Sequence, residues 1–115
     1  MITAVHTLIY ADDADRARAF FREVLGWPHI DAGGGWLIFR SGPSELAVHP
    51  GDAPQHQVTL MCDDLEQTVA DLEAKGATFT GPVEDAGWGV TRMLAVPGAG
   101  ELMLYQPRYE PAYDR

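Results

Sequence analysis

One histidine, one glutamine and two glutamates stand out in this 115-residue chain: His6, Gln57, Glu45 and Glu101. An imidazole nitrogen, an amide oxygen and two carboxylates together suit a divalent ion of intermediate hardness, such as Zn²⁺, Ni²⁺, Mn²⁺ or Fe²⁺. Bound at such an ion, a substrate with two neighbouring oxygens would be polarised and its anion stabilised. Around this set lie groups better suited to holding an organic ligand. Trp36 and Trp88 begin matched stretches (GGGW and GWG), and Arg40 and Arg92 close them, with Met103, Tyr105 and His49 nearby in sequence. An aromatic ring stacks on a flat ligand, and a guanidinium takes a carboxylate bidentately. The bland alternatives are that the tryptophans close the ends of a core and the arginines pair with Glu45 or Glu101. No Ser/His/Asp order or Cys/His pair suggests nucleophilic catalysis.

The elements that must carry these residues occur twice. Residues 2–10 (ITAVHTLIY) look like a strand, followed by Asp12-Asp13 as a helix cap, a helix with Ala17, Phe20, Phe21, Val24 and Leu25 on one face, and Gly26 as terminator. Residues 57–76 repeat this: strand, Asp63-Asp64, a helix with Leu65, Val69 and Leu72 on one face, then Gly76. GGWLIFR (34–40) matches AGWGVTR (86–92), and Glu45-Leu46 in SELAVHP matches Glu101-Leu102 in GELMLYQP. Four blocks in the same order describe two copies of a strand–helix–strand–strand–strand unit. The expected organisation is a single domain: unit one over 1–50, a turn-rich joint over 51–55 (GDAPQ), unit two over 56–107, and a tail over 108–115.

A repeated βαβββ unit opening with His-Thr and a helix ending FFREVLGW resembles the vicinal oxygen chelate superfamily, which includes glyoxalase I, extradiol dioxygenases and bleomycin-resistance proteins. The resemblance spans residues 2–107 and implies an α+β fold in which two tandem modules form an incomplete, barrel-like cup with helices outside, and a homodimer. Alternation along the strands is expected to place His6, Glu45, Gln57 and Glu101 in the cup. Val58, Leu60, Cys62, Leu102 and Leu104 would lie beneath the helices. His49, Tyr10 and Tyr105 would stand near the rim. His56 would need a bulge to join the set.

Two functions follow from the resemblance. In the first, His6, Glu45, Gln57 and Glu101 bind a divalent metal for lyase- or dioxygenase-like chemistry, with Glu101 doubling as general base. In the second, the cup binds an aromatic or cationic antibiotic-like ligand without metal or chemistry. Aligned on Pro97 and Tyr105, the family's P-D-G-x-x-I-E-L-Y pattern places Met103, not Glu101, in the glutamate slot, which favours the second.

Composition narrows the partners. Apolar residues make up 46%, charged residues 22%, and the net charge is −9. A small-molecule ligand is expected, rather than nucleic acid, whose phosphates need clustered Lys and Arg. No stretch is long and apolar enough for a membrane span. The single cysteine, Cys62, leaves no internal disulfide and reads as a buried thiol. With no signal-like N-terminal run, the expected location is the cytoplasm.

Overall fold

A computed structural model describes residues 6–114. Helix α1 (Ala14–Ala19) begins where the Asp13 carboxylate accepts the Arg16 amide proton at 3.1 Å. It passes into one wide π turn (Phe20–Val24), in which the Leu25 amide reaches back to the Phe20 carbonyl at 3.1 Å. Adjacent residues on an α-helix diverge by about 100°, and the widened turn lets Phe20 and Phe21 both enter the core. Gly26, at φ +69°, ends the helix as expected. A short antiparallel hairpin follows, β1 (His29–Asp31) with β2 (Leu37–Phe39). Its turn is tied by the Asp31 carboxylate, which accepts the Gly33 amide at 2.8 Å and the Gly35 amide at 3.3 Å.

The second half builds a larger sheet. Strand β3 (Thr59–Met61) leads into α2 (Leu65–Ala74), capped by Asp64 through the Gln67 amide at 3.0 Å and followed by Gly76 at φ +94°. Strands β4 (Phe79–Asp85), β5 (Gly89–Val96) and β6 (Gly100–Pro107) complete a sheet in the order β3-β6-β5-β4. β3 runs parallel to β6, the other pairs antiparallel, and the register of β4 shifts between Thr80 and Glu84, around Gly81-Pro82.

The core joins the two halves. Ala17, Phe20 and Phe21 from the first helix and Leu65 and Val69 from α2 cluster with Phe79, Leu94, Val96, Leu102 and Leu104. Both helices therefore cover one face of the four-stranded sheet. The β5–β6 turn seals the joint: the Asp13 amide donates to the Gly98 carbonyl at 3.0 Å, and a Cβ on Gly98 would stand 2.4 Å from the Asp13 oxygen. Only glycine, here at φ +80°, allows so close an approach.

The architecture is the expected α+β one, with two sheets that do not close into a barrel. It departs from the sequence expectation at the ends of the first unit. Residues 6–10 and 44–50, expected as strands, have no ladder partner among the described residues, and Leu8, Tyr10, Leu46 and Val48 are 54%, 87%, 79% and 91% exposed. Alternation marks a segment that can be a strand, but a strand forms only where a neighbour accepts its backbone hydrogen bonds. Residues 2–5 of the expected first strand and Arg115 of the tail lie outside the described residues.

Candidate functional site: the helix-free face of the large sheet

Register decides which side chains share a face. Leu94 opposes Leu102 and Arg92 opposes Leu104, which places these four on the helix side. Met93 opposes Met103, Thr91 opposes Tyr105, Ala95 opposes Glu101 and Thr80 opposes Met93, so this set lies on the other side. On β3, Thr59 and Met61 oppose Met103 and Tyr105 and join it. Met61, Glu101, Met103 and Tyr105 thus share a helix-free face, while Leu60, Cys62, Leu102 and Leu104 lie beneath the helices.

The centre of this face is sulfur-rich. Met93 and Met103 are direct cross-strand neighbours, Met61 is diagonal to Met103, and all three are half-buried. Thioethers on flexible stems make a polarizable surface that adapts to an apolar or aromatic partner. At one end stands Glu101, exposed, accepting a hydrogen bond from the Thr80 hydroxyl at 3.1 Å. At the other end, Trp88 meets the Tyr105 ring edge-on, centroids 5.0 Å apart. The Trp88 carbonyl accepts the Arg108 amide, and Arg108 pairs with Asp85, holding this corner together.

Glu45 arrives at the Tyr105 end from the first unit. Its Oε1 accepts the hydroxyls of Tyr105, at 3.0 Å, and of Tyr109, and its Oε2 accepts the Ala112 amide at 2.9 Å. The two phenolic oxygens are themselves 2.8 Å apart. Two phenolic protons cannot serve three contacts at once, and the carboxylate is their natural acceptor. The Tyr109 hydroxyl foremost, then the Ala112 amide, holds the Glu45 carboxyl below its ordinary value, against a smaller opposing effect of burial. Burial foremost, then Tyr109 and Glu45, pushes the Tyr105 hydroxyl upward. Tyr109 and the 3₁₀ turn at Ala112–Asp114 belong to the expected tail, where nothing in the local sequence marks them as partners of a residue 64 positions away.

The expected metal set is not assembled within this chain. Glu45 and Glu101 mark opposite ends of β6: the four residues from Glu101 to Tyr105 span roughly 13 Å. His6, Gln57, His49 and His56 are exposed, and among the described residues no three His, Cys, Asp or Glu side chains gather as ion ligands. Both oxygens of Glu45 are engaged by donors from β6 and the tail, and Gln57 precedes β3 instead of lying in it. The side chains of the described residues therefore do not fit a divalent ion inside one chain.

The remaining candidates scatter. Trp36 sits in the β1–β2 turn, 56% exposed, with the Arg18 guanidinium 4.8 Å from its ring centroid. Arg40 is exposed, its amide bound to the Pro28 carbonyl. The His49 ring nitrogen lies 3.1 Å from the neighbouring Pro50 carbonyl. Arg92 lies on the helix side, over the Phe79 ring at 5.4 Å, and forms no pair with Glu101. Cys62 is half-buried, its thiol donating to the Tyr105 carbonyl at 3.6 Å and pushed up by desolvation, which makes it a poor nucleophile. Met61, Met93, Thr80 and Tyr109 occupy no motif or repeated position that marks them as site residues in the sequence. Alternation on β5 could have revealed Met93.

Comparison with known proteins agrees with this architecture. The model of the Glyoxalase/Bleomycin resistance protein/Dioxygenase superfamily matches residues 3–95. The chain belongs to that superfamily. Solved structures similar to it include TnmS3, an antibiotic binding protein from Streptomyces sp. CB03234, with a TM-score of 0.65 and 23% identity over 92% of this chain and 97% of that one. A lactoylglutathione lyase from Agrobacterium tumefaciens gives a TM-score of 0.64 and 20% identity over 90% of this chain and 93% of that one. A superfamily member from Sphaerobacter thermophilus DSM 20745 gives 0.63 and 21% over 90% and 97%. At these identities the likeness concerns the fold. No curated protein matches the chain. Among the described residues no helix is long and apolar enough to cross a membrane.

Proposed function

We propose that this superfamily member binds a flat, aromatic, cationic small molecule on the helix-free face of its large sheet and sequesters it without a metal. The observation that carries this reading is the adjacency of Met61, Met93 and Met103 on one face with Glu101 exposed at its end. Sulfur–aromatic contacts contribute about 0.3–1.5 kcal/mol each, and an acidic group beside them favours a positively charged ring. Trp88 and Tyr105 supply an aromatic wall. The net charge of −9 draws cations toward the surface. The antibiotic binding protein among the similar structures supports the same choice.

The working unit in this proposal is a cytoplasmic homodimer of single-domain chains. Its support is the exposure of Leu8, Tyr10, Leu46 and Val48 on two strand-like segments that find no ladder neighbour among the described residues. The second reading, a metal-dependent lyase or dioxygenase using His6, Glu45, Gln57 and Glu101 with Glu101 as base, is favoured by membership of the superfamily alone.

Titration with an acridinium dye, followed by Trp fluorescence, separates the two. Saturable quenching that is lost in Trp88→Phe and weakened about tenfold in Met103→Ala supports sequestration. The absence of binding, together with about one Zn, Ni, Mn or Fe per chain by elemental mass spectrometry and its loss in His6→Ala, would replace it with the enzyme.

A further inference from the structure

On the opposite face of the same sheet, a groove of about 600 Å³ runs between α2 and strands β4 and β5. Its walls are Val69, Val83 and Val90, and its floor carries Arg92. The Arg92 Nε donates to the Gly81 carbonyl at 3.2 Å and the guanidinium lies over Phe79, so the side chain is held in place. Its terminal nitrogens have no hydrogen bond or ion pair among the described residues, although three acids line the same groove. Glu66 and Glu73 lie along one flank of α2, two turns apart, with Asp64 at its start. The groove thus presents one fixed, unpaired cation at the floor, apolar walls, and carboxylates along one side.

We infer that this groove is a second binding site, for a small zwitterion with an apolar body, of the α-amino-acid type. The carboxylate of such a molecule takes the free edge of the Arg92 guanidinium, which matches it bidentately. Its ammonium faces the acids of α2, and its apolar body covers the exposed Val83 and the half-buried Val90, removing them from water. Each alternative leaves a mismatch. A simple apolar carboxylate pairs with Arg92 but brings no ammonium to meet the three acids. A simple amine leaves Arg92 unpaired beneath apolar cover. The site is independent of the methionine-rich face, since Arg92 and Met93 point to opposite sides of β5.

Amide chemical shifts of the full-length protein test this with three probes of one ring size: phenylalanine, phenylpropionate and phenethylamine. Phenylalanine is expected to shift the amides of Val69, Val83 and Val90 saturably, with the other two at least roughly tenfold weaker. Arg92→Gln should reduce phenylalanine at least to the level phenethylamine shows on the native protein, while phenethylamine itself binds no more weakly than before. Arg92→Lys should restore part of the loss. The double variant Glu66→Gln/Glu73→Gln, on the exposed flank of the helix, should reduce phenylalanine to the level of phenylpropionate. Equal binding of all three probes, or no saturable shift with phenylalanine, would overturn the inference. Shifts confined to Met93 and Met103 would overturn it too, while leaving the ligand face intact.

Discussion

The two halves of this chain carry the same phrase and use it differently. From Thr59 to Pro107 the unit is complete: its first strand lies parallel to its last, and every strand has a neighbour. From His6 to Pro50 only the helix and the middle hairpin form, while both end segments stay open. The difference shows that a repeat transmits local structure more faithfully than pairing. Capping aspartates and terminating glycines act within a turn, so Asp13 and Asp64, like Gly26 and Gly76, do the same work in both copies. A ladder needs a partner strand at the right distance. In the first unit the helix has instead docked Phe20 and Phe21 onto the second unit's sheet. The second unit is the scaffold, and the first is attached to it.

That comparison can be broken most sharply in the core. Leu94 has no exposed surface, and Leu94→Ala is expected to cost about 2–5 kcal/mol in a urea titration, as buried leucine truncations do. Val48, 91% exposed, lies in the first unit's final segment, and Val48→Ala should change stability by less than about 0.5 kcal/mol in dilute protein. A cost for Val48→Ala that grows with protein concentration would place that segment in an interface between two copies.

A smaller effect sharpens the shared part. Asp13→Ala and Asp64→Ala each remove a side chain that accepts a first-turn amide, and each should cost about 1 kcal/mol by thermal or urea unfolding. Similar losses at the two sites would show that capping survived where pairing did not. A negligible loss at Asp13 would mean that the Gly98 contact alone positions the first helix.

The smallest effect concerns the tie between the halves at Glu45. Its carboxyl is held below its ordinary value of 4.5, so the ionised form favours the folded state. The stabilisation is fully present above about pH 4.5 and disappears as the pH falls through the folded value. The melting temperature of the native chain should therefore fall more steeply below pH 4.5 than that of Glu45→Gln, and the two curves should converge in acid. Parallel curves would show that the tail does not depend on this carboxylate.

The α+β class, both helices with their caps, and the facing of β3 and β6 were written in local sequence. Hydrogen-bond geometry at helix ends and the two-residue period of strands operate over a few residues and need no knowledge of the fold. Arg92, expected among the groups that hold a ligand in the cup, instead shares the parity of Val90, Leu94 and Val96, and that parity puts it on the helix side. The meeting of Glu45 with Tyr105, Tyr109 and Ala112 was not legible. It joins the end of the first unit to a stretch that begins 60 residues later, and no period or motif encodes such closure. The divergence of His6, Gln57 and the two glutamates belongs to the same category. Side-chain type and strand parity were available from sequence, but distance along and between strands is set by register, and register was decided only when the sheet assembled around Leu94 and its neighbours.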